Sequence, residues 1–276
     1  MGAPRTSPAS VARAYKRRTE ALRKLADNLQ NNPSSKALHD TRVAARRVQA
    51  VCRLLPKETR RSNGYEKFSS SLRAFRRATS QVRDFDTLIE TLRTVKASLP
   101  EGLVDALSNA REKATTRAMA AAHALSEASM PVIDLRRLGG KRTFKRLSRR
   151  TNRRIRVLER LMEQMETEKL EPEELHALRI EAKKLRYLLE LVGEHPSELA
   201  ALEKWQKDLG IIHDLDMAVA YLRGQRRKPS THAALVELIE RRGESYQRLV
   251  QGQSKAPKAT SGCAGKGRTH ASTVNP

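Results

Sequence analysis

The sequence predicts an all-α protein, and three observations support that fold class. Apolar residues recur at helical spacing along nearly the whole chain, and no segment alternates apolar and polar residues for long enough to predict a strand. Aromatic residues make up only 4% of the 276 residues, so the core is expected to consist mainly of aliphatic side chains. Internal prolines divide the chain, because proline breaks a helix interior but is tolerated in loops and in first turns.

The predicted helices follow these prolines in order. The first helix lies before Pro33, the last follows Pro229, and each remaining helix lies between two successive prolines. The dividing prolines are Pro33, Pro56, Pro100, Pro131, Pro172, Pro196 and Pro229. They predict eight helices over residues 10–251, preceded by a flexible arm over residues 1–9. The segment 252–276 is rich in small and polar residues and is predicted to be a disordered basic tail.

Two motifs occur twice, which predicts an internal duplication. The pattern HxxRxxx[RK][RK] starts at His39 and again at His176, 137 positions later. The pattern RDxD starts at Arg83, and HDxD starts at His213, 130 positions later. Both offsets fit two four-helix halves, over about residues 10–130 and 132–251, with one loop of different length. We therefore expect a helical bundle with internal pseudo-twofold symmetry.

The histidine motif places cations on one side of each helix that carries it. At about 100° per residue, one face is cationic and the opposite face is apolar. The cationic faces comprise His39, Arg42, Arg46 and Arg53, then His176, Arg179, Lys183 and Arg186; the apolar faces comprise Ala44, Val48, Val51 and Leu55, then Leu178, Leu185, Leu188 and Val192. Each helix is expected to pack its apolar face on the core, with the basic stripe directed away from it. A solvated face is the alternative interpretation, but like charges at this spacing repel. Their repetition in both halves favours an anionic ligand.

The fifth segment adds a second row of cations. Residues 136–160 contain twelve Arg and Lys residues against the single acid Glu159. The predicted ridge consists of Arg142, Lys145, Arg149, Arg153 and Arg156, and the predicted inward anchors are Phe144, Leu147, Ile155 and Leu158. A long row of guanidinium groups fits a long polyanion, because arginine binds phosphate oxygens through two parallel hydrogen bonds.

The acidic residues of the second motif are interpreted as partners that orient neighbouring basic side chains. They are Asp84, Asp86, Asp214 and Asp216. Two aspartates two positions apart on a helix point about 200° apart, which disfavours a paired-carboxylate catalytic site. His39 and His176 lie among arginines and lysines, which repel metal cations, so hydrogen bonding to phosphate suits them better than metal ligation.

Composition excludes several other classes of protein. The chain carries 55 Lys+Arg against 31 Asp+Glu, a formal charge of +24, which indicates an anionic partner. No apolar run predicts a membrane span, and the N-terminus does not resemble a secretory signal, so a cytoplasmic location is expected. Cys52 and Cys263 have neither disulfide-framework nor zinc-site spacing, and there is no P-loop pattern. We expect no cofactor, no metal and no catalytic activity.

The paired motifs resemble those of the CHAD domain family, the conserved histidine α-helical domain. The resemblance covers about residues 10–251. Proteins of that family are two pseudo-symmetric four-helix bundles around a basic cavity or pore, and they bind inorganic polyphosphate, often at polyphosphate granules. The resemblance implies the same fold, partner and location here. Many relatives also carry a triphosphate-processing CYTH domain with an ExExK pattern. This sequence has no such pattern, so the resemblance implies a binding module.

By this resemblance, both copies of the motifs supply polyphosphate-binding residues. They are His39, Arg42, Arg46, Arg47, Arg76, Arg77 and Arg83 in the first half and His176, Arg179, Lys183, Lys184 and Lys207 in the second. The stripe and the ridge add Arg186, Arg142, Lys145, Arg149 and Arg153, with Asp84 and Asp214 as orienting residues. Gln206 stands opposite Arg76 in the internal alignment, so the second half is expected to hold the polymer less tightly.

Two other functions remain open at this point. The first is sequence-independent nucleic-acid binding, which shares the attraction to phosphate but usually adds aromatic platforms for the bases. The second is metal-dependent hydrolysis of phosphoanhydrides, which would need acidic metal ligands beside the basic groove.

Overall fold

The computed structural model describes residues 8–128, 141–192, 196–225 and 229–253. Within these ranges the chain forms nine α-helices and no β-strand, which confirms the predicted all-α class. The helices are α1 Pro8–Asn31, α2 Ser35–Cys52, α3 Lys57–Arg60, α4 Asn63–Arg93, α5 Leu103–Glu127, α6 Lys141–Thr167, α7 Pro172–Val192, α8 Pro196–Arg223 and α9 Pro229–Gln253. The predicted arm and tail lie mostly outside the described residues, since α1 begins at Pro8 and α9 ends at Gln253.

The helix boundaries follow the prolines with one addition. Pro172, Pro196 and Pro229 are the first residues of α7, α8 and α9, where a missing backbone N–H leaves no helical hydrogen bond unmade. The additional helix is α3, a single turn after Pro56. It ends early because the Ser62 side chain accepts a hydrogen bond from the Tyr65 backbone N–H and caps α4. Pro131 lies outside the described residues.

Three clusters of buried apolar side chains form the core. The first joins α1, α2, α4 and α5 with the start of α6 and the end of α7, and it contains Phe68 and Phe75. The second joins α6, α7, α8 and α9 and contains Leu178 and Ile212. The third lies where the end of α4 and the start of α5 meet α8 and α9. Full burial of one such side chain contributes about 1.5–3 kcal/mol, so all three clusters contribute substantially to stability.

The predicted apolar faces of the motif helices are buried in these clusters. Ala44, Val48, Val51 and Leu55 of the first copy and Leu178, Leu185 and Leu188 of the second are all buried. The side chain of Val192 lies outside the description. Of the predicted anchors of α6, Leu147 and Leu158 are buried and Ile155 is partly buried, while the Phe144 side chain is not described.

Contacts between α2 and α7, and between α4 and α8, bring the two groups of helices together. Helix α6 takes part in both cores, because Leu147 belongs to the first cluster and Leu158 to the second. The contact between α2 and α7 places the two copies of the histidine motif side by side. Across the described ranges, no helix has an apolar stretch sufficient to cross a membrane.

Candidate functional site

Four cationic side chains from the two motif helices meet between α2 and α7. They are Arg42 and Arg46 of α2 and Arg179 and Lys183 of α7, and we call them, with the two aspartates described below, the central cluster. Burial and the charges of Arg179, Arg46 and Arg42 lower the pKa of Lys183 to about 7. Burial and the charge of Arg46 lower the pKa of Arg42 to about 10. The arrangement therefore holds like charges together away from bulk water, which is unfavourable without an anion.

This placement differs from the solvated stripe that a single helix would present. Each stripe does point away from its own apolar face, but its middle part lies against the other motif helix, while His39, Arg53 and His176 are exposed. All four cationic side chains of the central cluster are only partly exposed as a result. A freely solvated face, the alternative considered for the sequence, does not describe these residues.

Asp84 of α4 and Asp214 of α8 supply the carboxylates of the central cluster. Burial raises the pKa of Asp84, while the charges of Arg42 and Arg179 oppose that rise. Burial likewise raises the pKa of Asp214, against the charges of Arg179, Arg83 and Lys183. Both aspartates thus act on arginines of the motif helices. Two carboxylates leave the four cations incompletely neutralised.

Several buried nitrogen atoms in this region have no hydrogen-bond partner among the described residues. They include Nε of Arg42 and Nε of Arg179, which occupy equivalent positions in the two motif copies. Nε of Arg76 and Nε2 of Gln206 form a second such equivalent pair. A buried polar group without a partner costs about 1–3 kcal/mol, and more if it is charged. Donors left open at matched positions can bind an anionic oxygen.

The histidines lie at the edge of the central cluster. Nδ1 of His176 is 3.4 Å from Nδ1 of His213, and the ring centroids are 4.9 Å apart. Burial, Arg179, His176 and Lys183 lower the pKa of His213 to about 4, so its ring is neutral at pH 7. His39 is exposed and lines a pocket of about 460 Å³ with Arg42, Arg83 and side chains of both charges.

Four of the predicted binding residues are already ion-paired, three of them closely. Nε of Arg47 is 3.1 Å from Oε2 of Glu190, and Nζ of Lys184 is 2.8 Å from Oε1 of Glu181. Nη1 of Arg186 is 3.2 Å from Oε1 of Glu203. These pairs reduce the positive charge offered to a ligand. The fourth pair is between Arg83 and exposed Glu90, with 3.7 Å between Nη1 and Oε2, and such a long and exposed pair contributes little.

The remaining predicted cations lie on the outer surface. Exposed side chains are those of Arg77, Lys207, Arg142, Lys145, Arg149 and Arg153. Helix α6 directs a different row inward, namely Arg146, Arg150 and Arg154, whose side chains are partly buried. The sequence contained the signal for this row. At about 100° per residue, Arg150 and Arg154 flank the anchors Leu147 and Leu158, whereas the predicted ridge lies opposite them.

Two aspartates of the repeated motif have a structural partner that the sequence analysis missed. The Asp86 carboxylate accepts a hydrogen bond from Nε of Arg111 on the following helix. In the second half, Oδ1 of Asp216 accepts one from Nε of Arg242 at 3.0 Å, again on the following helix. Asp86 and Asp216 therefore tie α4 to α5 and α8 to α9. In the described part of the chain, no group of three or more His, Cys, Asp or Glu side chains is placed to hold a metal ion.

Comparison with known proteins agrees with this arrangement of helices. The CHAD domain family matches residues 13–223, a range that includes both copies of both motifs. The crystal structure of the CHAD domain from the plant Ricinus communis is similar with a TM-score of 0.58 and 17% sequence identity, over 93% of this chain and 94% of that chain. At this identity, the likeness concerns the fold. No curated protein matches the chain. Because the family match covers most of the chain, this protein belongs to the CHAD domain family.

Proposed function

We propose that this protein binds inorganic polyphosphate without catalysis, in a basic cavity between two pseudo-symmetric four-helix halves. One observation supports this most directly: at equivalent positions of the two halves, the buried Nε atoms of Arg42 and Arg179 have no hydrogen-bond partner among the described residues. A phosphate chain carries anionic oxygens at close, regular intervals. It can therefore accept hydrogen bonds from both motif helices at the same time, and such charge-assisted bonds are stronger than neutral ones.

The proposed ligands are the four cations of the central cluster, with His39, Arg76 and Arg83 beside them. Asp84 and Asp214 orient Arg42 and Arg179 in this proposal. Arg47 and Arg186 join helices through Glu190 and Glu203, while Lys184 pairs with Glu181 within α7, and all three affect the ligand only indirectly. The exposed cations of α6 attract the polyanion from solution. Accumulation at polyphosphate granules is the cellular behaviour expected from such binding.

Nucleic acid is the polyanion from which polyphosphate must be distinguished. Single-strand binders stack bases on aromatic side chains. Among the described residues near the central cluster, the rings of His176 and His213 contact each other, and the ring of Tyr187 is buried. This arrangement favours a polymer without bases.

A competition experiment tests the proposed function. Labelled long-chain polyphosphate is bound to the protein at physiological salt, and unlabelled DNA or RNA is added at matched phosphate concentration. We expect the label to stay bound, and equal competition would make the protein a general polyanion binder.

A parallel incubation with Mg²⁺ or Mn²⁺ measures phosphate release. Release above that of a protein-free control would contradict the non-catalytic assignment.

A further inference from the structure

Cationic side chains continue beyond the central cluster on the side of the first half. Arg76 of α4 is close enough to Arg46 of the central cluster, and to Arg53 at the end of α2, for their charges to act on it. Burial and the charges of Arg46 and Arg53 lower the pKa of Arg76 to about 10. Nη1 of Arg76 donates a hydrogen bond to Oε1 of Gln49, whereas its buried Nε has no partner among the described residues. Arg76 therefore connects the central cluster to Arg53.

Helix α6 brings a further arginine to the same place. Nη1 of Arg146 donates hydrogen bonds to the backbone oxygens of Leu54, at 3.2 Å, and Leu55, at 3.0 Å, which holds α6 against the residues that follow α2. Arg150 lies one turn further along α6 and is partly buried. Burial and the charges of Arg53 and other arginines lower its pKa. Cations carried by α4 and α6 therefore lie close to Arg53 at the end of α2.

A pocket of about 170 Å³ adjoins this group between α2 and α4. Its lining includes Gln49, Arg53, Ser69 and Arg73, and no carboxylate is among its lining residues in the described part of the chain. Nη1 of Arg73 donates a hydrogen bond to Oγ of Ser69 at 2.8 Å. The central cluster contains Asp84 and Asp214, whereas the lining of this pocket contains cations without a carboxylate among the described residues.

The second half lacks the corresponding cations. With the offsets of the two repeated motifs, Gln206 stands at the position of Arg76 and Glu190 at the position of Arg53. Glu190 is also within ion-pair distance of Arg18, Arg47 and Arg186. A polyanion that leaves the central cluster through the second half therefore meets a neutral amide and a carboxylate already surrounded by arginines. A polyanion that leaves through the first half instead meets two cations, Arg76 and Arg53, at these positions.

We propose that Arg53, Arg76 and Arg150 form an extension of the central cluster, which binds the continuing segment of a long polyphosphate chain and directs the chain asymmetrically toward the first half. This proposal rests on the proposed function. The central cluster alone accommodates a short chain in this scheme. The extension contributes only when the chain is long enough to reach Arg53, and it makes affinity depend on chain length.

The test compares two polyphosphates on two charge-matched variants. The double variant Arg53→Gln with Arg150→Gln removes two cations of the extension. The control, Arg23→Gln with Arg117→Gln, removes two exposed arginines of α1 and α5. Affinities for tripolyphosphate and for long-chain polyphosphate are measured over a range of salt concentrations, and circular dichroism checks that each variant is helical. Arg53→Gln alone provides a milder variant, since Arg53 is exposed.

We expect the extension variant to lose about tenfold or more in affinity for the long chain and to reduce the salt slope by about two, relative to the control. Its affinity for tripolyphosphate should equal that of the control. Equal long-chain affinity in the two double variants would overturn the proposal, and so would an equal loss for both ligands. If the unmodified protein binds neither ligand, the proposed function itself fails.

Discussion

At the scale of single residues, the site is defined by charges that are buried with too few counter-charges. Burial lowers the pKa of Arg42 and of Lys183, which means that the protein destabilises the charged form of both side chains. Arginine at such a position binds anions well but stabilises the ligand-free fold poorly. Function and stability therefore make opposite demands on the same residues, and a substitution can separate the two.

Replacement of Arg42 and Arg179 by methionine should weaken polyphosphate binding and stabilise the ligand-free protein. Methionine keeps much of the side-chain volume but removes a buried charge that has no complete set of partners. We expect a loss of about a hundredfold in affinity, from two charge-assisted contacts. The melting temperature should rise by about 2–4 °C for each kcal/mol gained. A melting temperature that falls together with affinity would assign both arginines a structural role. Arg117→Met, on the exposed surface, serves as the control.

Lys183 should take up a proton when polyphosphate binds. Its pKa of about 7 in the free protein lies below the ordinary lysine value, and a bound polyanion raises it again. Above pH 7 the free side chain is increasingly neutral and the bound one is charged, so affinity should fall as the pH rises from 7 toward 9. Titration calorimetry in buffers of different ionisation enthalpy measures the uptake. The Lys183→Gln variant should bind more weakly and show less uptake, and unchanged uptake would remove Lys183 from this role.

The same pKa difference also affects stability, with a definite sign. Because the folded pKa is below the unfolded value, the unfolded chain holds more protons between pH 7 and the ordinary lysine value. Lys183 therefore destabilises the fold fully below pH 7, and this cost decreases as the pH rises through that range. Denaturation of Lys183→Met should show its largest gain in stability below pH 7.

At the scale of helices, α6 connects the two cores. Leu147 belongs to the first cluster and Leu158 to the second, while Arg146 binds the chain just after α2. The position of Arg150 next to Arg53 depends on this attachment. A weakened attachment should therefore affect both stability and the proposed extension.

The Leu147→Ala variant should lower the free energy of unfolding by about 2–5 kcal/mol, because it leaves a cavity in a buried cluster. Urea denaturation measures this change. Exposed Ser148 on the same helix offers the control, and Ser148→Ala should stay within about 0.5 kcal/mol of the unmodified protein. A small effect of Leu147→Ala would mean that the start of α6 is not attached to the first core.

At the scale of the whole molecule, the 55 Arg and Lys residues outnumber the 31 Asp and Glu residues and have different surroundings. Some cations lie in the central cluster, some pair with Glu181 and Glu190, and some are exposed on α6. The net charge of +24 attracts a polyanion at long range, but only the partly buried cations can form bonds that exclude water. Long-range attraction and specific contacts respond differently to salt and to substitution.

Polyphosphate affinity should fall steeply as salt increases. A duplex-DNA binder with roughly 6–10 phosphate contacts loses on the order of a thousandfold or more between 50 and 200 mM salt, and we expect a comparable decrease here. Affinity measurements across that range give the slope. Binding that is insensitive to salt would contradict an electrostatic site. The Arg42 and Arg179 variants should reduce the slope, because fewer phosphates are then neutralised.

Much of the fold could be predicted because its signals are local. Helical periodicity and proline positions depend on neighbours within a few turns, so they predicted the eight long helices and the buried faces of the motif helices. The one-turn helix α3 was missed because a single proline boundary gave no sign of the Ser62 cap within the same segment. The cationic motif was equally visible, since its residues share one face of one helix.

The sequence by itself determined the helical class, the eight long helices, the buried apolar faces and the identity of the repeated cations. Only the tertiary structure decided that Arg42 and Arg46 meet Arg179 and Lys183, that Glu190 forms an ion pair with the predicted cation Arg47, and that α6 turns Arg150 inward. The physical reason is the range of the interactions. Helix formation and amphipathicity follow from residues three and four positions apart, whereas ion pairing and burial depend on helices that lie more than a hundred residues apart in the chain.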